Sequence, residues 1–405
     1  MLNWPGWEPL AALRAQYDGE AAFDGSDFAR DDMTRAMHAM ALQRSRQLLW
    51  LLALAAALAW WPSGTPAAAP AGAAPAGAAF ATAANAAAAP EFPAARGTQT
   101  PASPLLRELV GTVVGVRTTA MSGSEAAASL GARRLGSGAI LDPTTVLTIG
   151  YLLLEVETVE ILTESGKTIP ASVAGYDHES GLGVVRTAVP LDGTPLQLGD
   201  SDGIEASERV LTLGHGEPAA TELVVLSRKP FAGGWEYLVD RAIFTFPPVN
   251  NWSGAALMST DGKLIGVGSL IVNDAATDQS GVPGNMFVPV NLIKPILADL
   301  LNKGRRDGPA QPWLGLTTEN VRGNLMVSRL TRDGPAEQAG LSVGDIIVAV
   351  GDKRFADQAE FYRQIRQVGP AGSTIGLRVL HEGMLREVSV RSADRADHLR
   401  KPDGI

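Results

Sequence analysis

The sequence predicts a mainly β protein. Between residues 105 and 300, short β-rich runs bounded by Gly, Asp and Pro succeed one another closely, and helical periodicity is almost absent. A further β-rich stretch lies at 310–392, with one helical pattern inside it. In order, the first set of runs is 112–117, 138–141, 146–148, 158–162, 171–175, 183–186, 209–213, 223–226 and 264–267. Runs of this length and spacing predict a pair of β-barrels or a β-sandwich pair.

Composition narrows the chemistry. The 405 residues suffice for two domains and flanking segments, and a net charge of −9 with a pI near 5.2 argues against a nucleic-acid partner. With no cysteine, disulfides, thiolate zinc sites and cysteine nucleophiles are excluded, and no metal or other cofactor is expected.

The first hundred residues do not read as a globular domain. Residues 1–47 are polar, with Asp24, Asp27, Asp31 and Asp32 preceding Arg35, Arg44 and Arg46. Residues 48–61 form an uncharged Leu/Ala/Trp run that as a helix would span roughly 21 Å, against roughly 30 Å for a bilayer core. Arginines before it and no basic residue for some distance after it predict export of the downstream chain. Two readings stay open. The run is either a signal-anchor that holds the chain at the membrane behind a cytoplasmic head, or a signal peptide read from Met33, Met37 or Met40 and cleaved at an Ala-x-Ala site. Residues 62–104, dominated by Ala and Pro, read as a linker.

Four segments within 105–300 carry a family resemblance. Gly136-Ser137-Gly138-Ala139-Ile140-Leu141, then Leu198-Gly199-Asp200-Ser201, then Asn251-Trp252-Ser253-Gly254-Ala255-Ala256-Leu257, then Met286-Phe287-Val288-Pro289-Val290 occur in this order. Together they resemble the trypsin-like serine proteases of the HtrA family. The resemblance implies a double β-barrel with Ser253 at the nucleophile position, and such barrels commonly trimerise, making a homotrimer the implied assembly.

A serine hydroxyl attacks only when a base removes its proton and a third group orients that base. In the family the base is the histidine of a Leu-Thr-Asn-Asn-His-Val stretch. The matching stretch here is Leu147-Thr148-Ile149-Gly150-Tyr151-Leu152, with Tyr151 at the base position. The orienting aspartate is matched by Gly181 in Asp177-His178-Glu179-Ser180-Gly181-Leu182. Asn251 and Trp252 replace the glycine and small residue that shape the family's oxyanion loop, and Asn251 could still supply the turn if it took a positive φ. His178 and His215 read as exposed loop histidines outside the chemistry. The expected outcome is a pseudoprotease; the alternative is an active serine endopeptidase using Ser253 with a non-standard base.

Residues 310–392 resemble the PDZ domain of bacterial proteases, through Trp313-Leu314-Gly315-Leu316, Gly334-Pro335-Ala336-Glu337-Gln338-Ala339-Gly340-Leu341 and Val343-Gly344-Asp345-Ile346. A helix is predicted over 355–367 with Phe361 and Ile365 on one face, and closing strands over 374–380 and 387–391. The resemblance implies that Trp313, Leu314, Gly315 and Leu316 grip a peptide carboxylate while Phe361 and Ile365 line the side-chain pocket, the peptide adding a strand to the sheet edge. Residues 393–405 read as a C-terminal tail. The sequence thus predicts an exported, periplasmic protein that binds C-terminal or unstructured peptides, serving envelope protein quality control or scaffolding a complex, with an active protease as one candidate partner.

Overall fold

The computed structural model describes residues 109–400 apart from 235 and 278–280. The polar segment 1–47, the apolar run 48–61 and the linker 62–104 lie outside the described residues.

The first six strands are β1 (Val113–Ala120), β2 (Arg133–Asp142), β3 (Thr145–Ile149), β4 (Val156–Leu162), β5 (Thr168–Tyr176) and β6 (Leu182–Thr187). They close into a barrel in the order β1-β2-β3-β6-β5-β4. The next six are β7 (Arg209–Leu213), β8 (Thr221–Gly233), β9 (Tyr237–Phe246), β10 (Ala256–Met258), β11 (Leu264–Val272) and β12 (Gly284–Pro289). These form a second closed barrel, β10-β11-β12-β9-β8-β7. Closure leaves no exposed edge in either sheet. Of the two architectures the strand spacing allowed, the double barrel is the one adopted.

Alternation explains the outer strands and continuous burial the inner ones. β1 alternates near its C-terminal end, whereas β3 and β12 are buried at every position. The barrels meet where β3 packs against β11 and β2 against β10, and a shared apolar core runs from Leu147 and Leu182 of the first barrel to Phe244, Met286 and Val288 of the second. A separate core around Phe287, Ile243 and Leu257 fills the second barrel.

Between β1 and β2 lies a short helix, α1 (Glu125–Leu130), capped by Ser124. Helix α2 (Leu297–Lys303) ends on Gly304 at φ +75° and packs against β5, where a Cβ on Gly175 would lie 2.6 Å from the Leu300 carbonyl. From there the chain enters a five-stranded antiparallel sheet: β13 (Leu316–Val321), β14 (Asn324–Leu330), β15 (Ile346–Val350), β16 (Thr374–His381) and β17 (Met384–Arg391). Helix α3 (Pro335–Gln338) begins with proline at its first turn, and helix α4 (Gln358–Val368) is capped by Asp357, whose carboxylate accepts from the Glu360 N–H at 2.7 Å. β13 is an edge strand. Residues 393–400, in the segment expected to be a tail, fold back: Trp313 and Ala393 exchange backbone bonds, and the Arg400 N–H donates to Glu155 of the first barrel at 3.0 Å.

Candidate active site and peptide groove

Ser253 lies in the loop between β9 and β10, and the Gly136-Ser137-Gly138 segment of β2 supports it from below. The Ser137 N–H donates to the Ser253 carbonyl at 2.7 Å, and Thr148 Oγ1 donates to the Ser137 carbonyl at 2.6 Å. A Cβ on Gly136 would come within 2.8 Å of Ser253 Oγ, so this glycine is needed for close approach. Gly254, at φ +71°, would drive any Cβ into the Ser137 carbonyl. The glycines of the motif are thus explained by the backbone they let pass.

Tyr151 is carried on the 3₁₀ turn Gly150–Leu152 that comes after β3. Its hydroxyl donates to Ser253 Oγ at 2.8 Å and lies 3.2 Å from the Ser269 carbonyl, which competes for the same proton. Burial raises the phenol above its ordinary value, and the opposing pull of the Ser253 bond is smaller. Arg134 fixes the turn from behind, donating to the carbonyls of Tyr151 at 2.5 Å and Leu154 at 2.6 Å. Its own pKa is pushed down to about 10, mainly by burial, with Glu155 opposing.

Gly181 adjoins this turn: its carbonyl accepts from the Gly150 N–H at 2.7 Å. Residues 151, 181 and 253 are therefore linked through one continuous set of bonds. Gly181 has φ +71°, and a Cβ there would lie 2.6 Å from Cε2 of Tyr237, whose hydroxyl donates to the Ser180 carbonyl at 2.6 Å. Asp177 is the nearby buried carboxylate, but it is fully engaged. Arg306 donates Nε and an Nη to it at 3.0 and 2.9 Å, and Ser180 donates its N–H and hydroxyl. Burial alone would raise the Asp177 pKa; the Arg306 and Ser180 bonds outweigh it and hold the group below its usual value.

Neither histidine is the exposed loop residue expected. His178 is half-buried edge-on to Tyr176, with ring centroids 4.4 Å apart, and its pKa is pushed down to about 4 by burial and then by Arg395. His215 is half-buried against Gly115, and its backbone N–H donates to Ser137 Oγ at 2.9 Å. Among the described residues no hydrogen bond links either histidine to Ser253 or Tyr151. Asn251 does not take the positive φ that would replace the missing glycine; instead its side-chain amide donates to the His215 carbonyl at 2.7 Å. Trp252 packs edge-on to Tyr151 at 6.5 Å.

In the sheet domain, Gly315 stands at φ +77°, and the backbone N–H groups of Leu314, Gly315 and Leu316 converge on one point. Trp313 does not join them. Its N–H donates to the Ala393 carbonyl and its ring lies 4.6 Å from that of His398. Phe361 and Ile365 are buried in the same apolar cluster as Leu314 and Leu316. The point of convergence holds the Glu236 carboxylate, from the turn between β8 and β9: Leu314 N at 2.7 Å, Gly315 N at 2.7 Å and Leu316 N at 3.0 Å. Sequence reading missed Glu236 and Tyr237, because a Gly-Gly-Trp-Glu-Tyr run signals only a turn.

Comparison with known proteins agrees with this division. The trypsin-like peptidase domain model matches residues 136–267, and the PDZ domain model matches residues 312–391. The chain carries a trypsin-like peptidase domain and a PDZ domain and is similar in sequence to HtrA/DegP-type serine proteases. A probable periplasmic serine protease do/HhoA-like of Haemophilus influenzae is 27% identical over 290 residues, covering 66% of this chain and 60% of that one. The periplasmic serine endoprotease DegP of Salmonella typhimurium is 24% identical over 265 residues, covering 62% and 54%. The chain thus spans little more than half the length of these relatives. The solved structure of the HtrA-type protease AlgW with decapeptide aligns at TM-score 0.45 and 20% identity, over 72% of this chain and 97% of that one.

Proposed function

We propose that this HtrA homologue is a non-catalytic, periplasmic protein that binds peptides or unfolded chains through its PDZ domain, in envelope protein quality control or as a scaffold. The observation that carries the reading is the Tyr151–Ser253 hydrogen bond of 2.8 Å. It couples the nucleophile position to a phenol whose pKa lies above its ordinary value, so the proton of Ser253 has no effective acceptor at neutral pH. Gly181 offers nothing to orient a base. The names of the relatives place those proteins in the periplasm, and the apolar run at 48–61 supports export, with membrane attachment if that run is retained.

The test is labelling of the purified protein with a fluorophosphonate probe. The expected result is no labelling above a Ser253→Ala control, and stoichiometric labelling at Ser253 would sink the proposal. The competing reading, an endopeptidase that uses Tyr151 as its base, draws on the same short Ser–Tyr contact. It requires hydrolysis of casein that disappears in Ser253→Ala. A homotrimer built on the barrels, or a complex with an active protease, would show in the measured mass with and without residues 310–405.

A further inference from the structure

The carboxylate loop of the PDZ domain already holds a carboxylate. We propose that the β8–β9 hairpin tip is a built-in ligand of the peptide groove, with Glu236 in the place of a peptide's terminal carboxylate, so that a C-terminal peptide binds only by displacing it. This rests on the reading of the groove as a carboxylate clamp.

Each feature by which such a groove takes a peptide is engaged by the tip. The three N–H groups of Leu314, Gly315 and Leu316 all donate to Glu236, one to Oε2 and two to Oε1, at 2.7 to 3.0 Å. The free edge of β13 is met by backbone: the Thr318 N–H donates to the Gly234 carbonyl at 2.7 Å, the contact an added strand would make. A Cβ on residue 234 would lie 2.5 Å from the Thr318 carbonyl, so glycine is required for that approach. Helix α4 closes the other side, where Tyr362 Oη donates to the Gly233 carbonyl at 3.0 Å and accepts from the Glu236 N–H at 3.2 Å. Leu238 is 4% exposed and belongs to the apolar cluster of Leu314, Leu316, Phe361 and Ile365, where a peptide's apolar side chain would sit. Farther along β9, Asp240 accepts from Arg363 of α4 at 2.8 Å.

The tip's conformation fits the same role. Glu236 is a non-glycine residue at φ +64°, a conformation with a cost of about 1–2 kcal/mol that surrounding contacts must offset. The three bonds to its carboxylate, with the bond from its N–H to Tyr362 Oη, are contacts that do so. A groove occupied in this way binds an outside peptide with an affinity reduced by the fraction of molecules in which the tip has left.

The experiment uses the full chain, a fluorescent decapeptide ending in leucine with a free carboxylate, and the same peptide amidated. In Glu236→Ala the free-carboxylate peptide is expected to bind at least about tenfold more tightly than in wild type, and the amidated peptide to bind neither. Amide hydrogen exchange at Leu314–Leu316 is the independent arm: protected in wild type, fast in Glu236→Ala. Equal peptide affinities in the two proteins, with exchange unchanged, would overturn the built-in ligand and leave peptide binding intact. Altered exchange with no peptide bound by either protein would instead remove the carboxylate-clamp reading and, with it, the competition. Should Glu236→Ala fold poorly, Glu236→Gln removes the charge at nearly the same shape, and the same ordering of affinities is expected at smaller size.

Discussion

Tyr237 occupies the space into which any side chain on Gly181 would project, its Cε2 standing 2.6 Å from where that Cβ would be. A carboxylate side chain at position 181 is therefore excluded by space. Tyr237 is the residue directly after Glu236, so the side chain that closes the acid position and the one that fills the carboxylate loop are neighbours on one turn. The Gly181 turn and the Leu314–Leu316 loop meet at this hairpin.

Gly181→Asp should consequently destabilise the protein instead of restoring a triad. A positive φ and a clash with a buried ring together cost about 2–4 kcal/mol. Gly181→Ala should cost nearly as much, because the penalty arises at Cβ. Denaturant titration of both variants checks this, and a large gap between Ala and Asp would point to charge instead of space.

Tyr151→Phe separates the two readings of the Ser–Tyr contact. If the phenol only fills the base position, losing its hydrogen bond costs about 1 kcal/mol of stability and leaves fluorophosphonate labelling at its background level. If Tyr151 is a base, any labelling of Ser253 must vanish in this variant. Tyr151→His alone should gain little, since the histidine would have no carboxylate to set its tautomer.

The barrels and the short segments that carry Ser253, Tyr151 and Gly181 were legible because they are local. Gly136-Ser137-Gly138, Tyr151 and Gly181 each sit in a short segment whose neighbours identify it, and the strand runs are set by period-two burial and turn residues. The groove's occupant was not legible. Glu236 and Leu314 are separated by 78 positions, and no periodicity states what a hairpin tip will touch. The half-burial of His178 depends in the same way on the returning segment 394–395 and on Tyr176, and the redirection of Trp313 depends on Ala393. Contacts of this kind are fixed by tertiary packing alone.

Arg306 joins the segment after α2 to the acid loop through Asp177, whose side chain is 2% exposed. Arg306→Ala leaves that carboxylate buried without its bidentate partner and should cost about 3 kcal/mol. Removing both partners, as Arg306→Met with Asp177→Leu, should cost less than the single change. A double-mutant cycle by thermal unfolding measures the difference.

Acid should act on this protein through two half-buried groups of opposite sign. His178 has its folded pKa pushed down to about 4 from an ordinary 6.5, so the stability it contributes is fully present above 6.5 and lost as pH falls toward 4. Glu236 has its folded pKa pushed up to about 7 from 4.5, first by burial, against the N–H groups of Leu314, Leu316 and Gly315 and the charge of Arg395. Its contribution is fully present below 4.5 and is lost as pH rises through 7. Between pH 7 and 4.5 the two partly cancel in wild type. His178→Gln should therefore flatten or invert the acid loss of stability across that window, by on the order of 2 kcal/mol, whereas Glu236→Gln should steepen it. Urea midpoints taken at half-unit pH steps read both slopes. Parallel slopes in the two variants would mean that neither group titrates as its surroundings dictate, while slopes of opposite sign relative to wild type would tie the acid response of the molecule to the hairpin tip and the acid loop it touches.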